Sequence, residues 1–420
     1  MRTGRIRTGL LAAALAVAAL AGCNAYEEVP TDPVLDGRRS IAERSLAVTA
    51  RERTALGARW LAAVVREDGS LPYRYYPSTD RYDTDSYNAI RHAGTTYSLF
   101  KVAASRGDPV LPAGELATGY IADRSVPLPG RSGRGYLFDG EVKLGGQALA
   151  LVALLERRRV TGDRRHDRLI AQMATFLRQF EVSGRSGRMY SRYLAASRRF
   201  ALVPVSEYYP GEALLAFTRL AQQFPRGGYL ADARRAARYL VRERDGDIPR
   251  LGRVPREDHW LTLALSELYR LDPDRDYARV VNLQADSMIA NQATELDGVD
   301  VIGASLGQNP INYTSTATKA EALAGAWALA LYAGDTRRAR RLAVAQQRTI
   351  QFLMRVQYTR ENTIDLPKPE RAIGAWPQDA YEDYVRIDFV QHNISALSDA
   401  AHLIESGDVP LAGPRSRRGR

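Results

Sequence analysis

Acids, histidines and arginines recur at the starts of strongly apolar segments, and chemistry could arise where such starts converge. Six starts stand out. The first holds Asp85, Tyr87, Arg91 and His92, the second Glu141 and Lys143, the third Tyr208, Tyr209 and Glu212. The fourth holds Asp258, His259 and Trp260, the fifth Lys319 and Glu321, the sixth Arg386, Asp388, Gln391 and His392. Three of the five histidines fall here. Charge beside apolar sequence is expensive unless it is paired or used, so the set reads as a concave site for a polar ligand. Two carboxyls from Asp85, Glu141, Glu212, Asp258 and Asp388 would suit acid–base cleavage of a glycosidic bond. His92, His259 and His392 would suit proton abstraction beside a carbonyl. Tyr75, Tyr87, Tyr208, Tyr209 and Trp260 would stack on a ring, and Arg91, Arg386, Lys143, Glu321 and Gln391 would hold polar groups. Asp85, Asp258 and Asp388 also suit helix N-caps, and a single His on a buried helix also suits plain packing.

The elements that carry these residues are helices of two alternating kinds. Arg-rich amphipathic stretches run over 40–66, 112–123, 164–181, 228–244, 275–292 and 336–357, the pattern of an outer layer with a wet face. Stretches apolar on nearly every side run over 86–104, 142–158, 210–223, 258–270, 317–333 and 387–404, the pattern of buried helices. Paired in sequence, they form a repeat of six hairpins whose stacking buries one continuous core. Gly- and Tyr-rich links at 68–77, 133–140 and 186–193 precede inner helices and predict short β-hairpins at one mouth of the assembly.

This alternation, with acids and aromatics at the inner-helix starts, resembles the six-hairpin (α/α)6 glycan-processing enzymes. That group includes unsaturated glucuronyl hydrolases and N-acylglucosamine 2-epimerases. The resemblance covers 39–407 and rests on architecture. The segments from Tyr87 to Tyr97 and from Arg386 to His392 carry its polar residues without matching a known catalytic motif. It implies an all-α toroid acting on carbohydrate as a hydrolase, epimerase or lyase. The alternative on the same barrel is a non-catalytic glycan-binding or envelope polysaccharide assembly lipoprotein.

The N-terminus bears on location. Arg2, Arg5 and Arg7 precede an apolar run from Leu10 to Leu20, the layout of a secretory signal. Leu20-Ala21-Gly22-Cys23 resembles a lipobox, and Cys23 is the one cysteine of the chain. The expectation is a signal over 1–22, lipid on Cys23, a Pro-containing tether to residue 38, and a basic tail over 408–420. A lipid anchor would place the barrel outside the cytoplasm, on the cell membrane or outer membrane. With Cys23 lipidated, neither an internal disulfide nor a cysteine metal site can form, and no metal or cofactor is expected. The 420 residues carry a net charge of +11. Outside the cytoplasm that balance suits an anionic glycan or envelope polymer, and nucleic acid is not expected as a partner.

Overall fold

The computed structural model describes residues 41–103, 108–254 and 257–406. The expected signal, lipidated Cys23, tether and basic tail lie outside these residues. Twelve long helices alternate between two layers. The outer ones are α1 (Ile41–Val64), α3 (Leu111–Arg124), α5 (Asp167–Arg178), α7 (Tyr229–Arg242), α10 (Arg275–Ala290) and α12 (Thr336–Arg355). The inner ones are α2 (Ala89–Val102), α4 (Leu144–Thr161), α6 (Tyr209–Gln223), α9 (His259–Leu271), α11 (Tyr313–Ala333) and α14 (Ile387–Ser406). Two single turns, α8 (Ile248–Leu251) and α13 (Pro369–Ala372), sit in connections. Among the described residues no helix is long and apolar enough to cross a membrane.

Each inner helix packs on the next, and α14 packs on α2, so the inner ring closes. The all-round apolar pattern is what closure requires: every residue of α4 from Leu144 to Arg157 is buried. Pairing adds a detail to the sequence reading. Inner helices pack chiefly on the outer helix that follows, across connections as short as Gly334–Asp335, and α1 packs chiefly on α14. The left-handed Gly162 and Gly334 end α4 and α11 at these tight reversals. Arg51 of α1 pairs with Glu405 at the end of α14, so both ends of the described chain lie at the face with short connections.

The long connections all enter inner helices and build the opposite face, the mouth. Its strands are short: β1 (Arg74–Tyr76), β2 (Arg81–Tyr82), β3 (Ser125–Pro127), β4 (Arg134–Tyr136), β5 (Glu141–Lys143), β6 (Arg192–Leu194), β7 (Arg199–Ala201) and β8 (Val385–Arg386). The 68–77 segment does form a hairpin with 81–82, and β1 also pairs with β8, with Arg74 opposite Arg386. The 133–140 segment pairs back on β3, whereas β6 lies between β5 and β7.

One device seats five of these loops. Gly69, Gly133, Gly187, Gly303 and Gly374 all have positive φ. A Cβ on each would lie 2.1–2.5 Å from a main-chain carbonyl of an outer helix: Leu116, Gln172, Arg235, Arg348 and Leu56, in that order. Each loop thus rests on the outer helix one step ahead in the ring, and Gly374 carries the pattern round to α1. Buried glutamines add hydrogen bonds at the same seams. Gln147 Nε2 donates to Arg134 O (3.0 Å) and Met173 O (2.9 Å), and Gln357 Nε2 donates to Arg53 O and Gly374 O, both at 3.0 Å.

Gly130 offers a control, since it has φ +71° and nothing within 4 Å of its Cβ position. Gly130→Ala should cost about 1 kcal/mol for left-handed strain alone. Gly187→Ala adds overlap with a helix carbonyl and should cost about 3 kcal/mol or more. Urea unfolding of the two variants checks this, and equal losses would refute the docking role.

Candidate active site

The fourth and sixth inner-helix starts meet inside the ring. Asp258 is the N-cap of α9: its Oδ1 accepts from Leu261 N at 3.0 Å, and its own N–H donates to Gln284 Oε1 at 3.1 Å. Fixing that first turn buries His259 and Trp260. α9 and α14 are separated in the ring by α11, yet the His259 and His392 rings lie 5.3 Å apart, edge to face. Glu321, fully buried on α11, lies beside them, with its Oε2 2.6 Å from His392 Nδ1. A carboxylate there accepts a hydrogen bond, which keeps the proton on Nδ1 and leaves a lone pair on Nε2. Burial, and next the neighbouring His392, hold His259 well below the usual imidazole range, so it is neutral. His259 Nε2 and Glu321 Oε1 are buried with no hydrogen-bond partner in the protein. Trp260 lies 4.8 Å from the His259 ring and Tyr208 5.7 Å.

Glu212 adds a buried acid at the start of α6. Its Oε2 has no partner, and it lies so close to α4 that a Cβ on Gly145 would be 2.2 Å from it. Burial, with a smaller push from Asp258, raises its carboxyl to about 8. Asp258 is raised to about 6 by burial, partly opposed by Arg244, whose Nη1 is 3.3 Å from Oδ2.

A second polar group spans α2 and α14. Asp388 takes Arg91 Nε at 2.9 Å and a two-pronged contact from Arg386 at 2.6 and 2.8 Å. Arg91 Nη1 also reaches Tyr73 OH at 2.5 Å. Burial pushes the Asp388 carboxyl up, but Arg386 and then Arg91 outweigh it and hold the group below the ordinary carboxylate range. Asp388 is therefore a clamp between two guanidiniums. Gln391 packs its amide against Gly94 of α2, where a Cβ would be 2.7 Å from Oε1.

Several residues singled out in the sequence lie elsewhere. His92 is fully buried, with Nδ1 2.7 Å from Tyr87 OH and Nε2 3.0 Å from Ala117 O of α3. Both nitrogens are used in packing, and Tyr87 stacks on Phe138. Tyr75 is buried in the loop sheet, its OH donating to Asp80 at 3.1 Å. Asp85 is exposed and caps nothing. Asp83 holds the backbone N–H groups of Asp85 and Ser86, which delays α2, and Asn88 caps it. Glu141 lies between Lys143 (3.1 Å) and Arg192 (3.0 Å) on the loop sheet. Tyr209 stays in the site, beside Glu212 and against Gly145, whereas Lys319 is taken up by Glu257 at 2.9 Å. Tyr73 and Arg244 belong to the site and were not singled out. Each sits in a connection, where helical periodicity gives no signal.

His259, Glu321 and His392 each offer a ligand atom, all within 4.8 Å of one another, so a cation deserves a geometric test. Two ligands at about 2.1 Å on a tetrahedral ion stand about 3.4 Å apart. The 2.6 Å contact between Glu321 and His392 is a hydrogen bond length instead. As arranged, the pair is a carboxylate–imidazole dyad.

No family model and no curated protein sequence matches the chain. Solved structures do. Cellobiose 2-epimerase from Spirochaeta thermophila DSM 6192 superposes with a TM-score of 0.62 at 14% identity, over 88% of this chain and 99% of that one. D-mannose isomerase gives 0.61 at 12% identity, over 87% and 99%. Unsaturated glucuronyl hydrolase specific for heparin gives 0.58 at 12%, over 85% and 98%. The fold is the (α/α)6 toroid. The likeness is one of backbone architecture, and the residues of the site are argued from this chain alone.

The raised Glu212 carboxyl predicts a pH signature. A folded value near 8, above the usual 4.5, means that the folded state holds a proton the unfolded state has released. Stability relative to Glu212→Gln should be greatest below pH 4.5 and fall as pH rises through about 8. Urea midpoints of both proteins between pH 4 and 9 test this. Parallel curves would show that folding leaves the Glu212 carboxyl unshifted.

Proposed function

We propose that this protein is a carbohydrate-active enzyme that moves a proton at the carbon beside the carbonyl of a reducing sugar, as an isomerase or 2-epimerase does. The observation that carries the reading is the buried imidazole pair, with one ring backed by a carboxylate. His392 Nε2 takes the proton from C2 of the open-chain aldose, and the C–H electrons form the enediolate as the carbonyl oxygen gains charge. Glu321 stabilises the imidazolium that results. His259, kept neutral, polarises the carbonyl oxygen by hydrogen bonding, a role suited to an imidazole of depressed pKa. Return of the proton from His392 to C1, as the O2 proton passes to O1, gives the ketose. Rotation of the enediolate about C2–C3 turns its other face to His392, and return of the proton to C2 there, with the carbonyl restored at C1, gives the epimer. The fold neighbours support this choice: two are a cellobiose 2-epimerase and a D-mannose isomerase. Tyr208 and Trp260 offer ring faces for the sugar, and Arg91 and Arg386 offer donors.

Exchange of the C2 proton in D2O, followed by NMR over a panel of reducing mono- and disaccharides, tests the reaction directly. His392→Ala and His259→Ala should each lose about 10²–10⁴-fold in exchange rate. Glu321→Gln, which removes the carboxylate from Nδ1, should lose about 10²-fold or more. His92→Gln should keep the rate while losing about 1–3 kcal/mol of stability, because its hydrogen bonds are structural. Cleavage of a glycosidic bond without exchange would move the chemistry to Glu212 and Asp258. Sugar binding with neither would leave a glycan-binding protein.

The proposal includes a lipid anchor at Cys23 and an extracytoplasmic site of action, supported by the Arg-led apolar run and the Leu20–Cys23 motif. Metabolic labelling with palmitate should mark the wild type, and Cys23→Ser should lose both label and membrane retention. Labelling that survives the substitution would remove the anchor from the proposal.

A further inference from the structure

Glu212 takes no part in the proton transfer set out above, yet it faces the same space. Seven residues make two turns of helix, so residues seven apart share a face. Two turns below His259, Glu321 and His392 stand Ser266, Ala328 and Asp399, which line one cavity at the face opposite the mouth. All six inner helices contribute to that lining, so the cavity lies on the toroid axis. Two turns below Glu212 stands Arg219, in the same lining. Glu212 is therefore on the axial face of α6, at the depth of the imidazole pair. In the ring, α6 packs on α4 and α9 while α14 packs on α11 and α2, so Glu212 stands across the axis from His392.

The surroundings make room for this carboxyl and give it nothing to bind. Glu212 is 4% exposed, and its Oε2 is buried without a partner. On α4 beside it stands Gly145, where a Cβ would lie 2.2 Å from Oε2 and 2.5 Å from the Tyr209 ring, so the space exists because a side chain is missing. The nearby cations are engaged elsewhere. Arg242 and Arg244, at the end of α7 and just past it, are held by Asp247 and Asp276 and by Asp245 and Asp258. Lys143, at the start of α4, lies on Glu141 at 3.1 Å. On α9, Asp258 opposes a second negative charge and His259 is neutral. An unpaired ion is strongly disfavoured in such a place, and the first-turn N–H groups offset only part of that. The group is accordingly the neutral acid up to about pH 8. A neutral carboxyl offers one O–H donor together with acceptor oxygens, the complement of a hydroxyl.

We propose that Glu212 is a specificity residue that reads one hydroxyl of a neutral hexose, donating to it and accepting from it, at the end of the sugar away from the carbon that faces His392. This role rests on the reading that the mouth admits a sugar, and not on the proton transfer. A sugar with hydrogen in place of that hydroxyl would leave the buried acid unsatisfied, which is how a site built for a hydroxyl rejects the analogue that lacks it.

Calorimetric titration of the full chain tests it at pH 6 and pH 9, with D-mannose, D-glucose and the deoxy analogues of each that lack a single hydroxyl. At pH 6 the wild type should bind a parent hexose about ten-fold or more tightly than one of its deoxy analogues. At pH 9 that preference should fade, because the acid has lost its proton. Glu212→Ala should abolish the preference at both pH values. Glu212→Gln, whose amide also donates and accepts, should keep it at both, a result that neither a structural role nor a carboxylate ion would give. Should Glu212→Ala fail to fold, the contrast in pH dependence between wild type and Glu212→Gln decides. Equal affinity for parent and analogues, a preference that survives in Glu212→Ala or is lost in Glu212→Gln, or no hexose bound at all, overturns the proposal. Exchange at C2 is scored separately. The preference without exchange refutes the reaction and leaves this role, whereas exchange without the preference refutes this role and leaves the reaction.

Discussion

What the toroid depends on is a side chain left out. At five positions round the ring, a loop backbone lies so close to an outer helix that a Cβ would overlap a helix carbonyl. Only glycine tolerates both that approach and the positive φ that goes with it. Because each loop rests on the outer helix one step ahead, neighbouring repeats are fastened at the mouth as well as through their helices. The long connections can then vary in sequence while the inner-helix starts stay in place. Placement of Glu212, Glu321 and His392 follows from that fastening, since the loops feeding α6, α11 and α14 are seated by Gly187, Gly303 and Gly374.

Charge inside the ring is the second organising constraint. Removing an ion from water is expensive, and the chain meets this mostly by pairing. Asp388 sits between two guanidiniums, and Arg157 is buried between Glu115 and Asp163. Against this background three of the buried atoms without a partner are informative. Glu212 Oε2, Glu321 Oε1 and His259 Nε2 are all on inner helices near the mouth. A neutral imidazole and a protonated carboxyl tolerate that state far better than ions would. Glu212 and His259 can therefore await a ligand without leaving an ion unpaired.

The alternation of helices was legible because buried and half-buried helices differ in periodicity over many residues. All twelve long helices lie within a few residues of the ranges expected, and closure followed from inner helices apolar on every side. His259, Glu321 and His392 were legible as charge in apolar helices. That signal could not separate them from His92, whose side chain turns outward to Ala117 of α3. One helical position decides between axis and outer layer, and a sequence period of 3.6 does not resolve it without the neighbours. Asp85 misled for a local reason: the Asp83 side chain holds the next two N–H groups in a turn and moves the helix start to Asn88. Tyr73 and Arg244 were not legible, because loop residues reach a site through a path that no repeat encodes.

The seam between α1 and α14 bears on how the chain comes to be folded. The residues that join there, Arg51 and Glu405, are 354 positions apart. As the polypeptide grows, its first helix meets α2 early but lacks its main inner partner, α14, until the other inner helices have been made. Short hairpins can form early, but the ring can shut only at the end, and contacts of such long separation form slowly. An emerging chain therefore stays open, with its apolar inner faces exposed, throughout synthesis.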